Sequence, residues 1–356
     1  MTRSASTVSG PTALPYLTAD VPGIGGIIRS VPEDFRVDER PLYLPCGQGE
    51  HLYVRITKRG LPTPELVLRL SSILGVKAMA IGVAGLKDAR AVTTQLVSLL
   101  GVTPEMMQRV RPDDHIVAVE VLGRHRNRLR TGHHAGNLFR LVIRQVRPEA
   151  REALPLVVET LRRRGVPNYF GPQRQGRTGE NYLVGAQLLN DPRQRANLSR
   201  SKAQWYVNTY QSHLFNRILS RRVHAVDRLL SGDWAMKVVN GACFRVEDVE
   251  REQPRVDTFE ISPTAPLFGA RTEWAAGEAG AIEQAVLAEL GVTAEGLTAA
   301  AAAAGFRGER RALRVPVADL AWSIEGEAVT VSFALPPGAY ATSVLREFMK
   351  TDPDPR

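Results

Sequence analysis

Two apolar periodicities divide this 356-residue chain, and their order constrains the fold more than any other feature. Leu52, Val54 and Ile56 alternate, as do Val329, Val331, Phe333 and Leu335. A period of two puts each set on one face of a strand. Phe35 and Val37 start another short strand after the turn at Pro32. The middle reads differently: residues 181–189, 203–222 and 281–290 are helical, and 297–304 is alanine-rich and helical by propensity. Strands at both ends and helices between them predict a strand-rich domain interrupted by an inserted helical one. The expected parts are 1–168 with 315–356, and 169–314.

Local signals fill in the ends. Thr63 before Pro64 reads as a helix N-cap with proline at the first helical position. Leu66, Leu70, Ile73 and Leu74 then recur at helical spacing until Gly75. Thr103-Pro104 repeats the capping pattern. Residues 79–83 read as a buried strand ending at Gly85, and 156–164 as a helix. Residues 116–122 and 138–146 read as the two strands of a long hairpin. Val344, Leu345, Phe348 and Met349 form one apolar stripe on a terminal helix.

Charge is concentrated. Residues 121–230 hold twenty arginines and one lysine against six acidic residues, although the whole chain has a net charge of only +9. The rest is therefore net acidic, and the basic block implies a surface for phosphates. Within it, Arg124, Arg126, Arg128 and Arg130 alternate. On an extended chain all four share one side, and the guanidinium fork suits a sugar-phosphate backbone better than an ammonium does. A solvated edge strand that blocks aggregation carries the same pattern.

Several chemistries are excluded. Gly23-Ile24-Gly25-Gly26 lacks the third glycine of a dinucleotide fingerprint, and no Gly-Lys-Ser/Thr phosphate loop occurs. No Gly-x-Ser-x-Gly elbow is present. The seven histidines lack zinc-ligand spacing, and His133 and His134 are adjacent. The two cysteines, Cys46 and Cys243, are far apart and fit a reducing compartment. No apolar run approaches the roughly 20 residues that span a bilayer. Residues 1–16 lack a signal-peptide core. The expectation is a cytoplasmic monomer that binds no membrane, metal or cofactor.

Chemistry must then rest on ordinary side chains. Residues 84–95 run from a buried strand through a tight glycine turn and present Lys87, Asp88 and Arg90 with Thr93, Thr94 and Gln95. An aspartate flanked by cations stays ionised, as a nucleophile or base must. A surface turn with a Lys–Asp–Arg cluster reads the same way.

This segment, Gly85-x-Lys87-Asp88-x-x-Ala91-x-Thr93-x-Gln95, resembles the signature of the TruD family of tRNA pseudouridine synthases. Pro32-Glu33-Asp34-Phe35-x-Val37, Gly49-Glu50-His51 and Gly136-Asn137-x-Phe139 resemble further family motifs. So do Pro167-Asn168-Tyr169-Phe170-Gly171-x-Gln173-Arg174-x-Gly176 with Asn181, and Gln211-Ser212-x-Leu214-Phe215-Asn216. The stretch from Phe333-x-Leu335-Pro336-x-Gly338-x-Tyr340 to Leu345-Arg346-Glu347 completes the family order, from about residue 29 to 350.

The resemblance implies an α+β fold: a mixed, mainly antiparallel sheet flanked by helices, with an inserted TruD-type domain. It implies cofactor-free isomerisation of uridine, at position 13 of tRNA, to pseudouridine. Asp88 is then the catalytic carboxylate, acting at C1′ or through proton removal at C2′. Substrate contacts fall to Phe139 and Asn137 at the flipped base, Tyr340 as a second aromatic, Lys87, and Arg29 where the family often has lysine. Gln173 and Arg174 join Arg124, Arg126, Arg128 and Arg130 as RNA contacts. Two rival classes are an RNA chaperone of the same fold and a carboxylate glycosidase, which needs a second positioned acid.

Overall fold

The computed structural model describes residues 14–176 and 178–351, which fall into two compact units. One comprises Gly23–Val158 and Val317–Ala341; the other comprises the segment ending at Pro22, Glu159–Pro316 and the segment from Thr342.

The first unit is built on a sheet of Ile27–Ile28 (β1), Phe35–Pro41 (β2), His51–Arg59 (β3), Ile81–Val83 (β4), Val92–Leu100 (β5), Ile116–His125 (β6), His134–Arg144 (β7), Ala318–Glu325 (β14) and Ala328–Leu335 (β15). The order is β14-β15-β7-β2-β5-β3-β6, with β1 beside β7 and β4 beside β5. β2 and β5 run parallel; the other pairs are antiparallel. This is the mixed, mainly antiparallel sheet expected. Helices Thr63–Leu74 (α1) and Pro104–Met107 (α2) belong to this unit, and the division from the second falls inside Ala150–Arg164 (α3).

The alternation on β3 works as predicted. Leu52, Val54 and Ile56 pack with Leu66, Leu70 and Leu74 of α1 and with Val97 and Leu99 of β5. Each such buried side chain contributes about 1.5–3 kcal/mol, which seats α1 on the sheet. Gly75 ends α1 with φ of 67°, the left-handed cap that glycine favours.

Two local expectations fail for physical reasons. Thr63 is not the N-cap of α1; Pro62 is. The Thr63 hydroxyl is buried, donating to Gln95 Oε1 and accepting from the Lys87 amide, both at 2.9 Å. At Thr103 the capping expectation holds, with the side chain accepting from the Met106 amide. Strand β4 begins only at Ile81, because 78–80 form a 3-10 turn that leaves Met79 72% exposed.

The long hairpin does not exist. β6 is an edge strand paired with β3, whereas β7 lies deep in the sheet between β2 and β15. The arginine-rich segment therefore crosses from one part of the sheet to another, and of its four arginines only Arg124 lies in a strand. The connection is held by other bonds: Tyr53 Oη to Asn127 O, the Leu129 amide to Ser98 Oγ, and the Gly132 amide to Ala84 O. Leu129 is buried with Tyr53, Ala84 and Leu96.

The second unit contains Val166–Pro167 (β8), Trp234–Lys237 (β9), Cys243–Arg245 (β10), Ile261–Leu267 (β11), Glu309–Ala312 (β12) and Arg314–Val315 (β13). Its helices are Asn181–Asn190 (α4), Pro192–Ala196 (α5), Arg200–Arg222 (α6), Val249–Asp257 (α7), Gly277–Glu289 (α8), Ala294–Ala304 (α9) and most of Ala341–Met349 (α10). The predicted helices are present, but the middle is not purely helical. β10, β9, β11 and β12 form a four-stranded sheet, and β8 pairs with β13. Every residue of β11 is buried. It shows no alternation and carries Pro263 and Pro266, which hid it from the pattern.

Residues 14–22 pack with α10 in this unit. Glu347 of α10 accepts from the Leu17 and Thr18 amides and from the Thr18 hydroxyl. Arg346 donates to Leu14 O and lies over the Tyr16 ring.

Gly136 fixes how closely β7 and β15 approach. Its φ is 138°, and a Cβ there would stand 2.3 Å from Leu335 O. Gly136→Ala is therefore expected to cost about 2 kcal/mol or more, seen as a lower thermal midpoint. An unchanged midpoint would show that the two strands can separate freely.

Candidate active site

The site is assembled on one face of the first unit's sheet. Cross-strand partners share a face, so register places the side chains in rows. Lys58, Thr93, Val37, Phe139 and Phe333 form one row. Glu39, Asn137 and Leu335 form the next. The loop between β4 and β5, which carries Lys87 and Asp88, is anchored to this face.

Lys87 is the anchor. Its ammonium donates to Glu39 Oε2 at 2.5 Å, with the two side chains 5% and 1% exposed. Glu39 Oε1 accepts from the Leu96 amide. Thr63 holds the Lys87 backbone from the opposite side. Lys87 thus faces the sheet rather than solvent, and its charge is neutralised there. His134 stands close by, and burial lowers its pKa; Lys87 lowers it further and Glu39 opposes.

The anchored loop leaves Asp88 outward. Its side chain is 51% exposed, and Arg29 Nη2 reaches Oδ2 at 3.0 Å. Arg29 is 11% exposed and lies over the Phe35 ring at 4.2 Å. Its backbone has φ of 58°, in the left-handed region, which side chains other than glycine occupy only when neighbours impose it. The 3-10 turn that follows is itself tied down at Glu33 and Asp34. Glu33 bonds Arg59 of β3. Asp34, 1% exposed, takes a two-pronged contact from Arg144 of β7 and caps the Val31 amide. Burial pushes the Asp34 carboxyl up, but the Arg144 and backbone hydrogen bonds outweigh it and hold its pKa below the ordinary value.

Beneath Asp88 lies a lysine that sequence analysis did not single out. Lys58 is fully buried; its ammonium donates to Leu61 O and, at 3.4 Å, to Asp88 O. Burial pushes its pKa down to about 8; Asp88 opposes this shift and Lys87 adds to it. A signal was available: Lys58 continues the inward series Leu52, Val54, Ile56, where a charge needs a reason. Glu39 carries the same mark, since it continues the inward series Phe35, Val37 of β2; Thr63 left none, because its partners are remote in sequence.

The other expected residues are distributed as follows. Phe139 is 6% exposed and sits in an aromatic row, edge-on to Phe35 at 6.5 Å and stacked on Phe333 at 5.3 Å. Asn137 shares the face, its Oδ1 buried without a hydrogen-bond partner, as are Thr93 Oγ1 and Gln95 Nε2. Tyr340 lies on the loop between β15 and α10 and is 36% exposed. Arg126, Arg128 and Arg130 line, with His51, Asn127 and His133, a pocket of about 420 Å³. Arg128 also donates to Ile81 O at 2.7 Å. The four arginines do not form one strand face; alternation about buried Leu129 turns Arg128 and Arg130 outward.

In the second unit, Arg174 lies 5.6 Å from the Phe170 ring centroid, with its Nε buried and lacking a hydrogen-bond partner. The Gln173 side chain is outside the described residues. Asn168 and Phe170 are held in place: Asn168 Oδ1 accepts from Arg311, and Asn216 exchanges two 2.9 Å hydrogen bonds with the Phe170 backbone. No group of three or more metal-ligating side chains occurs among the described residues, and no single helix among them is long and apolar enough to cross a membrane.

Comparisons with known proteins agree along the chain. A crystal structure described as a tRNA pseudouridine synthase D (TruD) from Methanosarcina mazei superposes with a TM-score of 0.81 and 28% identity, covering 95% of this chain and 96% of that one. The fold is that of a pseudouridine synthase. The family model tRNA pseudouridine synthase D (TruD) matches residues 12–199 and 194–348. Curated relatives named tRNA pseudouridine synthase D include one from Syntrophotalea carbinolica, 40% identical over 95% of this chain and 99% of its own length. Another, from Thermus thermophilus, is 42% identical over 96% and 94%. The chain belongs to the tRNA pseudouridine synthase D (TruD) family.

Two predictions follow from the buried charges. Removing one member of the Lys87–Glu39 pair leaves the other buried and unpaired, at a cost of about 3–5 kcal/mol. In a double-mutant cycle, Lys87→Met with Glu39→Gln should cost less than the two single changes together, measured by urea unfolding; additivity would mean that the pair is not coupled. Lys58 binds its proton less tightly in the folded chain than in the unfolded one, where its ordinary value is 10.5. Its contribution to stability therefore rises as pH climbs from about 8 towards 10.5. The stability of wild type relative to Lys58→Met should increase across that window and stay level below it. A flat difference would show an unperturbed ammonium.

Proposed function

We propose that this protein isomerises uridine to pseudouridine in tRNA, at position 13, without a cofactor, and that Asp88 is the catalytic carboxylate. The observation that carries this reading is the Asp88 geometry: a half-exposed carboxylate, oriented by Arg29, on a loop whose backbone is held from beneath by Lys58 and from the side by the Lys87–Glu39 pair. A group that must meet a ribose carbon needs access and a fixed direction, and this arrangement supplies both.

The reaction breaks the N1–C1′ bond, turns the uracil and joins C5 to C1′. The C5 proton then leaves and N1 gains one, so no atom is lost. Asp88 acts on the sugar, by attack at C1′ or by taking the C2′ proton, and a deuterium isotope effect at C2′ separates the two. The target base must leave the stack to be reached. Asn137, with its unpartnered carbonyl oxygen, offers an acceptor to the uracil edge. Phe139 supports the pocket from within the aromatic row, and Tyr340 supplies the second aromatic. Arg29 orients the carboxylate. Lys87 serves as a positioning residue, since its charge is spent on Glu39.

Phosphates are held by Arg124 and by the pocket of Arg126, Arg128 and Arg130 in the first unit; Arg174 and Gln173 are RNA contacts of the second. The unit that carries Asp88 is the catalytic domain, and the segment around 169–314 is the insertion. The protein works as a cytoplasmic monomer.

The test uses unmodified tRNA transcripts in chelator, with pseudouridine mapped by chemical labelling and primer extension. Wild type should modify one position. Asp88→Asn should lower the rate on the order of 10³-fold or more while tRNA affinity stays within a few-fold. Tight binding with no pseudouridine on any transcript would replace this reading with an RNA chaperone.

A further inference from the structure

We propose that a polar groove wholly within the second unit, between α6 and the loop following α9, grips a stretch of the RNA substrate. The proposal rests on the reading above for the identity of the RNA. Two pockets, of about 470 and 510 Å³, share Arg200, Gln204, Gly305 and Phe306 in their linings and so form one continuous groove. Each is within the about 300–1,000 Å³ typical of ligand sites.

One wall is a helix face. Arg200, Gln204, Asn208 and Gln211 are spaced four, four and three residues apart along α6 and line the second pocket together. Their chemistry is complementary to a nucleotide chain. Gln204 Nε2 donates to Asn208 Oδ1 at 2.7 Å, leaving the Gln204 carbonyl oxygen and the Asn208 amide nitrogen to face a ligand. Gln211 is fixed by its bond to Phe268 O at 2.6 Å. A row of amides offers both donors and acceptors, as base edges and ribose hydroxyls require.

The other wall is a short loop of fixed shape. Gly305 ends α9 with φ of 77°. A Cβ on Gly308 would meet Thr272 Oγ1 at 2.5 Å and the Gly269 amide nitrogen at 2.6 Å, so the loop is pressed against 269–272. The Arg271 amide donates to Arg307 O. This presents exposed Arg307 beside the amide row. Arg195 enters from α5, where it also donates to Leu188 O. The three arginines outnumber the single acid, Glu309, in the two linings. Guanidinium groups on both sides of an amide row suit a phosphate–ribose–phosphate run, with the forks on the phosphates and the amides on ribose hydroxyls and base edges.

The experiment compares the full chain with Arg200→Ala/Arg307→Ala, and with Lys77→Ala/Arg109→Ala as a control that removes equal charge from exposed sites outside the groove. Fluorescence anisotropy with labelled, unmodified tRNA is run from low to high salt, after circular dichroism has verified each fold. The groove variant should bind about tenfold more weakly near 0.1 M salt, with a salt slope lower by about 1.5 for two lost phosphate contacts. Arg200→Lys/Arg307→Lys should retain the slope, because charge is kept. The kcat at saturating tRNA should stay within twofold, since no groove residue belongs to the Asp88 site. Affinity and slope that match wild type, or that change equally in the control, would overturn the proposal. Micromolar binding of uridine monophosphate that the variant loses, with tRNA affinity unchanged, would also overturn it and make the groove a mononucleotide pocket. Binding alone scores the groove. A wild type that makes no pseudouridine would instead sink the catalytic reading.

Discussion

Lys87 and Glu39 bring a positive and a negative charge to the inside of the first unit, and the arrangement around Asp88 follows from that pairing. An ammonium deprived of water must find an acceptor, and for Lys87 that acceptor is a carboxylate on a strand of the sheet. The loop that carries the lysine is thereby fixed to the sheet one residue before Asp88. Thr63 and Lys58 add neutral and charge-assisted hydrogen bonds to the same loop. What solvent meets is a single carboxylate whose direction is set by groups solvent does not meet. Arg29, in a left-handed backbone just ahead of a turn bonded at Glu33 and Asp34, bonds the carboxylate from the other side.

The elements most legible in the sequence were those with one wet face and one dry face. β3, β15 and α1 were readable because their alternation or helical spacing matched their burial. β11 was not, because burial on both faces erases alternation and its two prolines argue against a strand. β5 was overlooked because Thr93 and Gln95 are polar yet buried, and polarity at those positions serves the site rather than the surface. The hairpin of β6 and β7 was misread for a different reason: proximity in sequence predicts pairing only where a tight turn connects the strands, and here the connection packs under its own hydrogen bonds.

The site itself was half legible. The Gly-x-Lys-Asp segment and the Asn137–Phe139 pair could be located by motif, and both lie on one face of one sheet. Of their supports, Lys58 and Glu39 show in the sequence only as charges that end inward apolar series, and the contacts made by Glu39, Thr63 and Lys58 were not visible, because they act across 48, 24 and 30 residues of chain. The arginine alternation pointed to a phosphate surface and implied a strand that is not there. Leu129, buried among Tyr53, Ala84 and Leu96, explains how an irregular segment still turns its arginines outward.

β15 is made late and used centrally. It pairs with β7 along the edge opposite β2, from Ala328 against Arg144 to Leu335 against Asn137. A chain still growing on the ribosome therefore holds β7 with one edge bare until nearly two hundred further residues have been added. Through that interval the second unit's segment from 159 to 316 is synthesised while the sheet stays open. An unpaired edge is the part of a sheet that adheres to other chains. The exposed Arg140 and Arg144 on this strand then guard it by charge, and the time taken to add β15 sets how long that guard must serve.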